Sequence, residues 1–101
     1  MDGFSLETPE QASRKLAARA KALRLARGWK RSTLAERSGV SLASLRRFEE
    51  SGKVSLQNLL EIAFALNRLD DFDSLLQPPR AASLAELEVA EKQPARKRGR
   101  I

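Results

Sequence analysis

The 101-residue sequence contains no cysteine and no histidine. Without cysteine there is no disulfide framework and no thiolate zinc site. Without histidine the commonest general base and metal ligand near neutral pH are missing. Aromatic residues make up only 5% of the chain, so a core must be built from aliphatic side chains. No apolar run reaches the roughly 20 residues that span a bilayer, and the N-terminus carries no signal-peptide h-region. No membrane association and a cytoplasmic location are therefore expected. The chain also shows no nucleophile–base pair, no metal-ligand cluster and no phosphate-cradling glycine loop. Neither catalysis nor a metal or cofactor is expected.

What the chain does have is basic charge, unevenly placed. Its net charge is +6. Residues 1–10 hold three acids and no base, and residues 11–53 hold twelve bases against three acids. Residues 54–79 reverse the balance, with Arg68 against Glu61, Asp70, Asp71 and Asp73. Residues 80–101 hold six bases and three acids. Cations gathered in one part of the fold and at one end point to a polyanion partner, most simply nucleic acid. A hydrophobic content of 42% supports one small core, and a domain this size is marginal alone, which favours a dimer.

Helix signals divide the chain. Thr8-Pro9-Glu10-Gln11 has a capping residue, a proline at the first helical position and polar residues behind it, the pattern of a helix start. From there to Arg27, Leu16, Ala20 and Leu23 recur on one face. After Trp29 a second short helix runs to Ser38, with Leu34 and Ala35 as its apolar side. Ser41 caps a third helix, Leu42 to about Glu49, with Leu45 and Phe48 facing inward. Ser55 caps a fourth, whose apolar face is Leu56, Leu59, Leu60, Ile62, Ala63 and Leu66, with Asn67 as its left-handed end. Asp70 to Leu76 reads as a fifth short helix with acids at its favourable N-terminal end, and Pro78-Pro79 closes the domain. The expected organisation is all-α: a flexible leader at 1–7, a five-helix domain at 8–79, and a largely disordered tail at 80–101. The tail carries a candidate short helix at Ser83-Leu84-Ala85-Glu86, which has capping-box spacing, and a basic end.

The stretch "LAERSGVSLASLRRFEE" explains the cations. A glycine turn, Ser38-Gly39-Val40-Ser41, joins the second and third helices, the arrangement of a helix-turn-helix. The glycine lets the backbone reverse, Ala35 lets the helices approach, and Leu34, Val40 and Leu45 fill the space between them. The third helix then stands clear to enter a major groove about 12 Å wide, with its first turns at base edges and the second helix across the backbone.

The run "ALRLARGWKRSTLAERSGVSLASLRRFEESGKVSLQNLLEIAFAL" resembles the Cro/cI-type (xenobiotic-response-element) helix-turn-helix family, with its lambda-repressor-like fold, over about Leu16 to Leu76. The resemblance is carried by Leu23-Arg24, Gly28, Leu34-Ala35, Gly39-Val40-Ser41, Glu49 and Ser55-Leu56 leading to Ile62-Ala63. It is most similar to the HipB-like branch, regulators of operons that encode HipA-type kinase toxins. The closing "FDSLLQPP", "SLAELE" and basic end also resemble regulators encoded beside divided HipA-type toxins.

The resemblance implies roles for matched positions. Ser41, Leu42, Ala43 and Ser44 occupy base-reading turns of the recognition helix. Arg47 fits a base-reading position and Arg46 a phosphate contact. Leu42 and Ala43 are apolar where many relatives carry Gln, Arg or Asn; they fit thymine methyls or few direct base contacts. Lys30 and Arg31 replace the relatives' capping Ser or Thr and phosphate-touching Gln, so the cap is expected to move to Ser32. Lys53 is a further expected phosphate contact. Arg24 and Glu49 are implied to form a partly buried ion pair, and Trp29 to pack over the first two helices. In the tail Arg96, Lys97, Arg98 and Arg100 are expected on DNA. Arg98-Gly99-Arg100 resembles the core of an AT-hook, which lies in a narrow minor groove; a nonspecific basic tail that adds counterion release fits equally.

The expected function is a homodimeric, sequence-specific repressor on a palindromic operator, autoregulating a toxin operon with a HipA-like kinase or an associated small subunit bound. The alternative is an antitoxin that inhibits a kinase directly, through the acidic fifth helix or residues 80–91.

Overall fold

A computed structural model describes residues 7–79. Residues 1–6 of the leader expected at 1–7, the candidate helix from Ser83 and the basic end lie outside the described residues. Within them are four α-helices: α1 (Pro9–Ala26), α2 (Arg31–Ser38), α3 (Leu42–Ser51) and α4 (Leu56–Ala65), followed by a 3₁₀ turn (Leu69–Phe72). No strand occurs among these residues.

Each α-helix starts where its sequence predicts, with one exception. Thr8 and Gln11 form a reciprocal capping box: the Thr8 hydroxyl accepts from the Gln11 amide at 3.1 Å, and the Gln11 side chain accepts from the Thr8 amide at 2.9 Å. Glu7, just ahead, pairs with Lys15 at 2.7 Å. Ser41 caps α3 and Ser55 caps α4, each accepting an amide three residues on at 3.1 Å. Such bonds satisfy donors that a helix leaves without a partner in its first turn. The exception is α2. It starts at Arg31, with Lys30 at the cap position and no side-chain cap, so the cap does not move to Ser32. The Lys30 carbonyl already accepts from Thr33 and Leu34, which places Ser32 inside the first turn.

The core is aliphatic around a single ring. Ala17 and Ala20 of α1, Leu34 of α2, Val40 of the turn, Leu45 and Phe48 of α3, and Ile62 and Leu66 of α4 make one buried cluster. Leu34, Leu45, Phe48 and Ile62 are its largest fully buried side chains, each worth about 1.5–3 kcal/mol in apolar burial. Leu23, Ala35 and Trp29 pack against its edge. Helix α1 lies on α3, and α2 packs on both α3 and α4. Leu16, Leu56 and Leu60, expected on core-facing surfaces, lie outside this cluster. Leu16 is 39% exposed and Leu56 is 65% exposed, because the faces that meet the core are centred on Ala17 and Ala20 in α1 and on Ile62 and Ala63 in α4.

The expected fifth helix is absent as such. Only Leu69–Phe72 closes into a 3₁₀ turn, and Leu76 adopts a φ of +62°. Phe72 is half-buried, but Leu75 and Leu76 are 60% and 96% exposed. A segment that buries one side chain gains too little to offset ordering a helix nucleus, and Pro78 disfavours helical backbone at the residue before it.

Two turn glycines carry different constraints. Gly39 ends α2 at φ +78° with open space where a Cβ would sit. Gly52 ends α3 at φ +82°, and a Cβ there would lie 3.0 Å from the backbone of Ser13 and Arg14 in α1. Gly39→Ala is expected to lose about 1–2 kcal/mol through backbone strain alone. Gly52→Ala adds an overpacking cost of about 1–3 kcal/mol. Urea unfolding of the two variants checks the order; equal midpoints would contradict the close approach of α1.

Candidate nucleic-acid interface

Helix α3 is amphipathic with a polar, cationic outer side. Leu45 and Phe48 point into the core, while Leu42, Ala43, Arg46, Arg47 and Glu50 are exposed. The outer residues repeat at four-residue spacing, 42/46/50 and 43/47, so they form adjacent stripes on one face. At its start the Ser41 hydroxyl donates to the Ser44 hydroxyl at 2.9 Å while capping the helix. Arg46 and Arg47 make no ion pair among the described residues, so neither charge is neutralised within the fold.

Beside this face lies a polar notch of about 360 Å³, lined by Ser44, Arg47, Lys53, Val54, Ser55 and Asn58. The loop that forms it is pinned by Ser51, whose hydroxyl donates to the Arg47 carbonyl at 2.6 Å and accepts from the Lys53 amide at 3.2 Å. The fold thus brings Ser44, Arg47 and Lys53 together. It also adds Ser55, expected only as the cap of the fourth helix, and Asn58, both at the start of α4. The available signal was a serine cap two residues after a lysine, since a helix N-terminus presents unpaired amides and favours anions.

Arg31, which the resemblance sets at a phosphate-touching position, is bonded within the fold at the start of α2. Its Nε donates to Glu49 Oε1 at 2.9 Å, and its Nη1 lies 3.6 Å from Glu50. Lys30, next to it, is exposed. Arg96, Lys97, Arg98 and Arg100 lie outside the described residues.

Glu49 holds α3 in place. Its carboxylate is fully buried, with a side-chain exposure of 0%, against 7% for Arg24. Arg24 donates to it through two nitrogens, Nε at 2.8 Å and Nη2 at 3.0 Å. The remaining Nη1 of Arg24 donates to the Trp29 carbonyl at 2.9 Å. The ion pair implied by the resemblance is therefore present, and bidentate, a geometry that adds specificity to strength. Arg31 extends it to the start of α2. Burial alone would raise the Glu49 carboxyl, but the hydrogen bonds and charges of Arg24 and Arg31 outweigh it and hold the group below its ordinary value of 4.5. Trp29, half-buried at the same corner, carries the guanidinium groups of Arg37 and Arg27 over its ring at 4.6 and 5.1 Å, a cation–π arrangement.

The stretch that folds into this geometry, two short helices across a glycine turn, is matched by a family model. The model for helix-turn-helix domains covers residues 21–72, just over half of the chain. The chain belongs to this family, the XRE-type helix-turn-helix proteins, and is a DNA-binding transcription regulator. No curated protein and no solved structure matches it. No helix among the described residues is long and apolar enough to cross a membrane.

Glu49→Ala strands Arg24 in the interior and is expected to cost about 3–5 kcal/mol. Glu50→Ala removes one long, exposed contact and should cost under about 1 kcal/mol. Thermal melts of the two proteins check this; equal melting temperatures would refute the clamp. The same carboxylate sets an acid limit. Its pKa is lower folded than unfolded, so the unfolded chain binds more protons in that window. Its contribution is complete above pH 4.5 and is lost as pH falls through the depressed value. Stability measured against pH should fall on that acid limb for wild type and show a weaker dependence there in Glu49→Gln.

Proposed function

We propose that the protein is a homodimeric, sequence-specific repressor that sets α3 into successive major grooves of a palindromic operator, about 34 Å apart. One observation carries this reading: the outer face of α3 holds Arg46 and Arg47 with no ion pair among the described residues, beside a notch that gathers Lys53 and the start of α4. Arg47 reads a guanine through O6 and N7. Arg46, Lys30 and Lys53 bind phosphates, with Ser44 bordering the same notch. Ser41, Leu42 and Ala43 meet base edges, the last two by apolar contact with thymine methyls. Arg31 contributes from the start of α2 with its guanidinium fixed by Glu49. In the tail, Arg96, Lys97, Arg98 and Arg100 add affinity.

The setting we propose is autoregulation of an operon for a HipA-type kinase toxin, with that kinase or an associated small subunit as protein partner. Its support is the sequence resemblance to the HipB-like branch, with "FDSLLQPP", "SLAELE" and the basic end. A second reading, direct inhibition of the kinase, is favoured by the acidic turn at Asp70, Asp71 and Asp73, whose side chains are exposed. Pull-down of the neighbouring gene product by wild type and by an Arg46→Ala/Arg47→Ala variant separates the two. Kinase capture and inhibition surviving the loss of DNA binding would favour direct inhibition.

Binding to duplexes from the protein's own promoter, titrated by fluorescence anisotropy, tests the DNA reading. Arg47→Ala should lose about 1–3 kcal/mol of discrimination at one base pair. Arg46→Ala should weaken all sequences alike and reduce the slope of log K against log salt by about 0.9. Failure of wild type to bind any such duplex at low salt would overturn the proposal.

A further inference from the structure

Helix α3 carries one exposed acid among its outward cations. Glu50 follows Leu42 and Arg46 at four-residue spacing, so it stands one turn beyond Arg46 on the same outward stripe. Opposite charges at that spacing form the ordinary ion pair of an exposed helix surface. Helix α1 has such a pair, Glu10 with Arg14 at 3.1 Å. Helix α3 does not use its own: Arg46 has no ion pair among the described residues, and Glu50 lies instead 3.6 Å from Nη1 of Arg31, on α2. Arg46 precedes Glu50, the weaker order for a pair within one helix, so a well-placed cation on another helix can win the carboxylate. Arg31 is well placed because its Nε donates at 2.9 Å to the fully buried Glu49.

We propose that Arg31 is a positioning residue for DNA binding: it holds the Glu50 carboxylate off Arg46 and so keeps that guanidinium free for phosphate. The proposal rests on the reading that Arg46 meets the duplex, and it says what Arg31 contributes. Two features support this role. The contact of Arg31 with Glu50 is long, and Glu50 is 59% exposed. Such a pair adds little to folding, so its effect lies in where it puts the Glu50 charge. The second feature is the anchor. A bond to a buried carboxylate fixes Arg31 from inside the fold, so its guanidinium stays beside Glu50 whether Arg46 is free or engaged. Without Arg31, the cation left to Glu50 is Arg46, one turn away, and that pair would neutralise the charge meant for phosphate.

Anisotropy titration of a promoter duplex over a range of salt tests this with wild type, Arg31→Gln, Glu50→Gln and the double variant. Arg31→Gln should weaken binding at least about fivefold and lower the slope of log K against log salt by about 0.9, as one phosphate loses its cation. Adding Glu50→Gln should restore both, and the gain should be at least about threefold larger in the Arg31→Gln background than in wild type. In an Arg46→Ala background this coupling should vanish. Arg31→Gln also loses its bond to Glu49, which melting curves report. Glu50→Gln cannot replace that bond, so affinity and slope recover while the melting temperature does not. Equal gains in both backgrounds, with the slope still low in the double variant, would make Arg31 a plain phosphate contact and overturn the proposal. A larger gain in wild type would overturn it too, by making Glu50 a competitor of DNA for Arg31. Coupling that persists without Arg46 would remove Arg46 as the residue protected. These outcomes leave operator binding intact, whereas a wild type that binds no promoter duplex sinks the DNA reading and this role together.

Discussion

The buried carboxylate of Glu49 is the constraint on which the presentation of α3 depends. Phe48 and Leu45 hold that helix against the core, but apolar contacts are non-directional and leave its rotation open to small adjustment. The two-nitrogen grip of Arg24 on Glu49 is directional. It fixes the C-terminal half of α3 against α1, and through the Trp29 carbonyl it also fixes the chain that leads into α2. Arg31 closes the arrangement by joining the start of α2 to the same carboxylate. A charged pair taken out of water is stabilising only with such complete bonding. Here no buried side-chain nitrogen or oxygen lacks a partner among the described residues. The result is a recognition helix held at one end by charge and along its inner side by packing, with its outer side uncommitted.

The two sides of the molecule are built for different solvents. Around α3 the exposed side chains include the cations Arg46, Arg47 and Lys53, beside Leu42, Ala43 and Glu50; a cation there stays hydrated until a polyanion replaces the water and counterions. Around α1 and α4 they are leucines, a phenylalanine and a few charges of both signs. The two surfaces share no residue, so occupation of one leaves the other available. Helix α2 packs on both α3 and α4, and no residue of α2 or α3 lines the apolar groove between α1 and α4.

Much of this was legible from residue pattern because the informative signals are local. Thr8, Ser41 and Ser55 cap helices through bonds reaching three residues along the chain, and Gly39, Gly52 and Asn67 take positive φ where short apolar-periodic segments end. The outward direction of Arg46 and Arg47 follows from the inward direction of Leu45 and Phe48 at helical spacing. What misled was equally specific. Ser32 looked like a cap, but capping depends on where the helix starts, and Arg31 already lies inside it. The acidic segment after Arg68 has a good helix N-terminus and yet lacks a face to bury, so only one turn forms.

The sequence by itself determined the starts of α1, α3 and α4, the glycine turn and the cations on the outer face of α3, because these depend on backbone preferences and on neighbours within four residues. Only the tertiary structure decided that Arg31 spends its charge on Glu49, that Lys53 and Arg47 share a notch with the start of α4, that Leu16 and Leu56 face outward, and that Gly52 touches α1. Those outcomes depend on how helices distant in sequence cross. A crossing is set by the fit of the whole core, which no local pattern encodes.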